Sequence, residues 1–287
     1  MKRYINCIAH NSSEGNLLIG DTHTALIDCG MMFCAGDTIQ RVKDALGTRP
    51  LDYIFFSHTH YDHIGALPFF RKEWPNLRTV TSAVGAGVLL KDTPRRVIRE
   101  LSLTAAELYG VTIDTSYNDD VFRADIIVKD GDNISLGNLT VEVLETPGHT
   151  RDSLSFFIPE IETLVINETL GVLMPDSSIY PSYLTSFKDT INSMEKCRKI
   201  PYKFLSLPHR SIVSSEDANV FFDKAHAAAV SCRDFILRMK EKGLNEEEMQ
   251  NSFYHQYYSG VLSDYQPKEA FMANAKAAIS CTLREEA

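Results

Sequence analysis

Ser57-His58-Thr59-His60-Tyr61-Asp62-His63-Ile64-Gly65 decides how the rest of this chain is read. It follows the apolar run Tyr53-Ile54-Phe55-Phe56, which reads as a buried strand. Four titratable side chains are therefore delivered at a strand's mouth. One histidine there would be an ordinary hydrogen-bonded residue. Three imidazoles and a carboxylate within six positions bring desolvation and mutual repulsion, which native chains tolerate where a metal or a reaction uses the groups. Nitrogen-rich donors with one carboxylate suit a borderline divalent ion, zinc first, with iron or manganese as alternatives.

The pattern H-x-H-x-D-H resembles that of the metallo-β-lactamase superfamily. The family's next histidine lies in a Gly-His turn after a central strand, matched here by Glu145-Thr146-Pro147-Gly148-His149-Thr150 after Thr140-Val141-Glu142-Val143-Leu144. Its last histidine follows a late apolar strand, and Phe204-Leu205-Ser206-Leu207 leads into Pro208-His209. An early Asp-Gly pair is matched loosely, as Asp28-Cys29-Gly30. The resemblance runs from about residue 16 to 210. It implies an α+β fold, the αββα four-layer sandwich. It also implies two divalent metal ions, one on His58, His60 and His149 and the other on Asp62, His63 and His209.

One position departs from the pattern. The family carries an aspartate between the Gly-His turn and the last histidine, where it bridges two metals. This chain has Asn167-Glu168-Thr169-Leu170-Gly171. Glu168 keeps the carboxylate with roughly 1.5 Å of extra reach, the length of a C–C bond. Bridging, a changed metal spacing and one weakly held ion all stay open.

The resemblance implies a hydrolase in which a metal-bound hydroxide attacks an ester-like bond, with Asp62 as the catalytic group that orients it and takes a proton. A thioester is the first substrate class, with a lactone or phosphodiester behind it. A second class is an iron-dependent oxidoreductase resembling persulfide dioxygenases. Flavodiiron oxidoreductases place a glutamate at the second motif position, and His60 argues against that branch. A third is a regulatory binding protein with a weakened site, which Glu168 keeps in view.

Composition agrees with an enzyme of this kind. Across 287 residues, 44% are hydrophobic and 23% charged, enough for a sizeable core. A net charge of −9 argues against a generic nucleic-acid binder. The early apolar stretches are short and broken by Asn6, His10 and Asn11, unlike a signal peptide, and no run is long enough for a membrane span. The expectation is a cytoplasmic protein with a small-molecule acyl or thioester substrate, no nucleic-acid or membrane partner, and a homodimer as one assembly. The six cysteines (Cys7, Cys29, Cys34, Cys197, Cys232, Cys281) form no C-x-x-C pair and read as free thiols.

Two segments exceed the minimal pattern. Ala83 to Tyr117 reads as largely helical, with Lys91, Arg95, Arg96 and Arg99 forming either a solvated face or a phosphate-contacting one. Arg95 and Arg96 are the candidate substrate contacts there. From Ser215 onward, three helices are expected: one opening at Ser215-Glu216-Asp217, one at Asn245-Glu246-Glu247-Glu248, and one with Pro267 in its first turn. Residues 1–214 are thus read as the metallo-β-lactamase-like domain and 215–287 as a helical extension, either a cap or a dimerisation surface. Phe253, Tyr254, Tyr257 and Tyr258 form an aromatic cluster that reads first as core. Phe253 and Tyr257 are also the candidates to wall an acyl group. This layout, with Thr169-Leu170-Gly171, resembles the thioesterase-type branch of the family found in alkylquinolone signalling pathways.

Overall fold

A computed structural model describes residues 4–6, 15–113, 115–209, 212–258, 262–263 and 266–286. The stretch from Tyr4 to Ile8 reads from the sequence as a strand, and its last two residues, Cys7 and Ile8, lie outside the described residues. By compactness the chain forms two units, Met1–Glu145 with Leu154–Thr163, and Thr146–Ser153 with Leu164–Ala287.

The first unit opens with an antiparallel meander of β1 (Tyr4–Asn6), β2 (Asn16–Ile19) and β3 (Thr24–Ile27). A single 3-10 turn at Met32–Cys34 runs into α1 (Ala35–Leu46). In the sequence Asp37, with Gln40 three residues on, reads as the N-cap of this helix. The preceding turn instead places the cap at Cys34, three residues earlier, and Asp37 sits in the first turn, where its charge complements the helix dipole. Gly47, at φ 62°, ends the helix as the sequence suggests.

β4 (Tyr53–Phe55) then lies parallel to β3. After α2 (Tyr61–Ile64) and α3 (Leu67–Glu73), β5 (Arg78–Ser82) lies parallel to β4. The helical insert resolves into α4 (Ala83–Leu89) and α5 (Asp92–Leu108), and β6 (Ile126–Val128) closes the sheet in the order β1-β2-β3-β4-β5-β6. β2, β3 and β4 are buried along their whole length, as expected of strands covered on both faces. Val42, Ile54, Phe56, Leu67, Phe70 and Phe122 form the core on which this sheet rests.

Three further strands of this unit, β7 (Asn133–Ser135), β8 (Thr140–Glu145) and β9 (Leu154–Ile158), pair antiparallel. β8 alternates buried Val141 and Val143 with half-exposed Thr140 and Glu142, so one face is apolar. The Leu154 N–H donates to the Ser57 carbonyl at 2.7 Å, tying β9 to the residue that opens the histidine motif.

The second unit takes up the chain at β10 (Thr163–Val165), followed by a short hairpin of β11 (Val172–Leu173) and β12 (Ile179–Tyr180). α6 (Phe187–Arg198) follows, capped by the Ser186 hydroxyl, which accepts from the Asp189 N–H. β13 (Phe204–Ser206) and β14 (Ile212–Ser214) pair antiparallel. The three expected tail helices are present as α7 (Ser215–Glu241), α8 (Glu246–Tyr257) and α9 (Lys268–Glu285). Asn245 and Glu248 complete a capping box on α8, and Pro267 stands just before α9.

These helices share a core with the rest of their unit. Phe253 and Phe271 are buried with ring centroids 6.0 Å apart, and the Tyr183 hydroxyl meets Thr282 Oγ1 of α9 at 3.1 Å. Cys29, Cys34, Cys197, Cys232 and Cys281 are buried thiols. Among the described residues, no helix is long and apolar enough to cross a membrane.

Candidate metal centre

Each unit carries its own cluster of donors. In the first, β4 ends where Ser57 begins, and the motif turns over into α2, so His58, His60, Asp62 and His63 are presented over little more than one helical turn. His58 and His63 are fully buried, while His60 and Asp62 are half-buried. The rings of His58 and His60 are 4.6 Å apart, and those of His58 and His63 are 4.1 Å apart. Asp62 Oδ2 approaches His63 Nε2 to 3.7 Å.

What fixes this cluster is Asp28, at the end of β3. Its Oδ2 accepts from His63 Nδ1 at 2.9 Å, and its Oδ1 accepts from the Ser57 N–H at 2.8 Å. A carboxylate can only accept, so Nδ1 carries the proton and Nε2 carries the lone pair. Asp28 reaches this position with φ 59°, a left-handed conformation that aspartate tolerates better than most residues. The Cys29 and Gly30 N–H groups both donate to the His63 carbonyl, at 2.8 and 2.9 Å, so the early loop clamps the histidine by backbone as well. Burial, with Asp28 beside it, pushes the Cys29 thiol well above its usual range, opposite to what a thiolate ligand needs.

In the second unit the Gly-His turn and the turn at Glu168 are woven together. Asn167 Oδ1 accepts from the Thr169 N–H at 2.8 Å, and its Nδ2 donates to Thr146 Oγ1 at 2.8 Å. Thr169 Oγ1 donates to the Thr146 carbonyl at 2.8 Å and accepts from the His149 N–H at 3.1 Å. This lattice holds buried Glu168 at the start of a 3-10 turn. His149 Nδ1 faces the Ser182 carbonyl at 2.6 Å, which fixes the proton on Nδ1 as Asp28 does for His63. Gly148 is required at its place: φ is 145°, and a Cβ there would lie 2.1 Å from Thr190 Oγ1 of α6. His209, just beyond β13, adopts φ 58°, and its Nε2 lies 2.8 Å from Glu168 Oε1.

The donor chemistry fits a divalent transition metal. Two imidazoles have Nδ1 engaged by an oxygen acceptor, the arrangement that orients a metal-ligating histidine and raises its basicity. The seven expected ligands therefore fall into two clusters, four in the first unit and three in the second.

The expected substrate contacts have partners of their own. Arg95 is engaged by Asp120 and, at 2.9 Å, by Asp92. Exposed Arg96 lies 3.6 Å from Glu100 of its own helix. Phe253 is buried, and Tyr257 packs on it with centroids 4.6 Å apart. The supporting residues Ser57, Asn167, Thr169 and Ser182 were not anticipated. Asp28 was seen only as a loose motif match. The Asp-x-Gly spacing was the available signal for it, and there was none for Ser182.

A sequence profile of the metallo-beta-lactamase superfamily matches residues 16–209, about two thirds of the chain. Among curated proteins, the coenzyme F420H2 oxidase of Methanothermobacter marburgensis is 31% identical over 159 residues, 54% of this chain and 33% of its own length. The probable metallo-hydrolase YqgX of Bacillus subtilis is 24% identical over 216 residues, 72% of this chain and 90% of its own. An archaeal metallo-beta-lactamase superfamily protein from Sulfolobus tokodaii superposes with a TM-score of 0.63 at 16% identity, covering 99% of both chains. The architecture is the metallo-beta-lactamase fold with C-terminal helices. On the profile match and the motif it contains, the chain belongs to the metallo-beta-lactamase superfamily.

Proposed function

We propose that the protein is a metal-dependent hydrolase of an ester-like bond, with a thioester as first substrate class. The observation that carries this reading is the pair of histidines, His63 and His149, each held by an Nδ1 acceptor in the tautomer a metal ligand needs. In this reading, His58, His60 and His149 hold one ion, and Asp62, His63 and His209 hold a second, with Glu168 serving both or one.

A bound divalent ion supplies Lewis acidity and lowers the pKa of a coordinated water to about 7. The chain's own residues do the rest. Half-buried Asp62 orients the attacking water, accepts its proton and returns it to the departing thiolate or alkoxide. Asp28 and Ser182 keep the two imidazoles from rotating or changing tautomer while charge moves. Beside the motif, Phe33 and Tyr109 stack at 4.7 Å, and Tyr61 lies near Tyr109 and Asp62. These half-buried aromatics favour a substrate with an apolar acyl group.

The oxidoreductase reading is supported by the name of the archaeal oxidase, which this chain matches over a third of that protein's length. Flavodiiron oxidoreductases carry a glutamate where this chain has His60, which favours hydrolysis over that branch. Protein purified without chelator is assayed for bound metal, loaded with zinc, iron or manganese in turn, and offered acyl thioesters, lactones and phosphodiesters. Thioester cleavage at the highest rate is expected. Oxygen consumption with a persulfide, without cleavage of any ester, would replace the hydrolase reading. Failure to retain any of the three metals would remove both.

A further inference from the structure

On the reading that His149 holds an ion, we propose that the last turn of α9 positions this ligand, with Thr282 and Glu285 as the residues through which it acts. His149 Nδ1 meets both the Ser182 carbonyl, at 2.6 Å, and the Ser182 hydroxyl, at 3.0 Å. The Ser182 carbonyl belongs to the peptide plane that ends at the Tyr183 Cα, so whatever anchors Tyr183 also aims the acceptor. Tyr183 is fully buried, and its hydroxyl lies 3.1 Å from Thr282 Oγ1. Thr282 gives its own proton to the Ala278 carbonyl at 2.9 Å, so in this pair Tyr183 donates and Thr282 accepts.

The peptide that leads into His149 is held by the same stretch of chain. The Gly148 carbonyl accepts from the N–H groups of Leu184 (3.1 Å) and Thr185 (2.9 Å) and from the Thr185 hydroxyl (3.0 Å). Arg284 in turn donates to the Thr185 carbonyl at 3.1 Å. α6 presses on this turn as well: Thr190 leaves no room for a Cβ on Gly148, and the Ser193 hydroxyl donates to the Pro147 carbonyl at 2.8 Å. The first two N–H groups of α6, on Phe187 and Lys188, can have no partner within their own helix. Both donate to Glu285 Oε2, at 3.1 and 3.2 Å.

Thr282, Arg284 and Glu285 therefore act on both controls of His149, the acceptor that faces its ring and the peptide that precedes it. Packing alone would need only the apolar side of α9, where Phe271, Ala275, Ala278 and Ile279 are buried. The hydrogen bonds that Thr282, Arg284 and Glu285 make to other elements all end between Tyr183 and Lys188. Without Thr282 as acceptor, the buried Tyr183 hydroxyl must move to find another, and the Ser182 peptide turns with it. His149 Nδ1 then loses its fixed acceptor, and the tautomer with the proton on Nε2, which cannot bind a metal through that atom, becomes populated.

The test uses the full chain, with zinc as the probe. Thr282 rather than Tyr183 is changed, because the Tyr183 hydroxyl also meets the Cys232 thiol. Thr282→Val keeps the side chain's shape but offers Tyr183 no acceptor. It should weaken zinc binding about three- to tenfold, less than the 10- to 100-fold that loss of a ligand's own outer partner costs. Thr282→Ser restores the acceptor and should bind zinc within about twofold of the parent. Glu285→Ala, at an exposed side chain, should weaken binding in the same direction and carries the test if Thr282→Val folds poorly. Phe253→Leu, which loosens the stacking on Tyr257 and Phe271, should lower the melting temperature and leave zinc affinity unchanged. Long-range nitrogen–proton spectra of metal-free protein should show the His149 proton on Nδ1 in the parent and partly on Nε2 in Thr282→Val. A parent that retains no zinc removes the ion from His149, and the tautomer spectra then decide whether α9 positions the ring. An unchanged His149 tautomer in Thr282→Val and Glu285→Ala, or an equal loss of zinc affinity in Phe253→Leu, would overturn the proposal.

Discussion

Asp28→Asn separates the support of the site from the stability of the fold. Asparagine tolerates the left-handed backbone at φ 59° and can still accept from the Ser57 N–H, so the loop is preserved. Its amide, however, presents a donor where Asp28 Oδ2 accepts from His63 Nδ1. The favourable response is for Nδ1 to become the acceptor, which moves the imidazole proton to Nε2 and removes the lone pair a metal needs. Loss of such an outer partner costs 10- to 100-fold in metal affinity, about 1.4–2.8 kcal/mol. Asp28→Ala acts differently. It leaves the buried Ser57 N–H without its acceptor, at about 1–3 kcal/mol, and adds about 1–2 kcal/mol for alanine in a left-handed conformation. Urea melts of metal-free protein should therefore rank the alanine variant as the less stable. Zinc titration against a chromophoric chelator should show the asparagine variant binding at least tenfold more weakly than the parent. An asparagine variant that binds zinc with parental affinity would refute the tautomer argument.

Asp62→Asn should keep the metal held by the three histidines while lowering turnover by about 10²–10⁴-fold, read by elemental analysis and steady-state rates. Gly148→Ala should destabilise the fold by about 1–3 kcal/mol or more, because φ is 145° and the new Cβ meets Thr190 and Thr169; a thermal melt checks it. Burial disfavours the Asp125 carboxylate, yet hydrogen bonds from Thr79 and Arg71 hold its pKa below the usual value. A depressed folded value means the stabilisation is present above the unfolded pKa, near 3.9, and is lost as pH falls through the folded one. Asp125→Asn should thus be less stable than the parent by about 1.5–3 kcal/mol at pH 7, with the gap closing on acidification below about pH 4, read by urea melts across pH.

The motif from His58 to His63 was legible because its donors are contiguous, so their crowding is visible before any fold is known. His149, Glu168 and His209 carry no such signal on their own and were located only by the resemblance. Their supports were less visible still. Thr169 is a common residue type, and its partners Thr146 and His149 lie 23 and 20 positions away in the chain. The same reason hid β5. Arg78-Thr79-Val80-Thr81-Ser82 looks too polar for an internal parallel strand, but Thr79 and Thr81 are fully buried. Thr79 is satisfied by the Arg123 carbonyl and Asp125, more than forty residues on. β11 and β12 are two residues each, too short for any period to register.

The helical insert carries a charge pattern whose counter-charges are distant in the sequence. Lys91, Arg95, Arg96 and Arg99 read from the sequence as either a solvated face or a phosphate-contacting one. Yet Arg95 is held by Asp92 and Asp120, and Arg99 by Asp119, the latter two from the turn at Asp119–Val121. Arg99 further stacks over the Tyr117 ring at 4.1 Å and donates to two carbonyls of the same loop, at Thr115 and Tyr117. These arginines bind the end of the insert to its own helix. A phosphate reaching Arg95 or Arg99 would compete with these carboxylates, of which Asp92 and Asp120 are largely exposed and hold Arg95 only weakly.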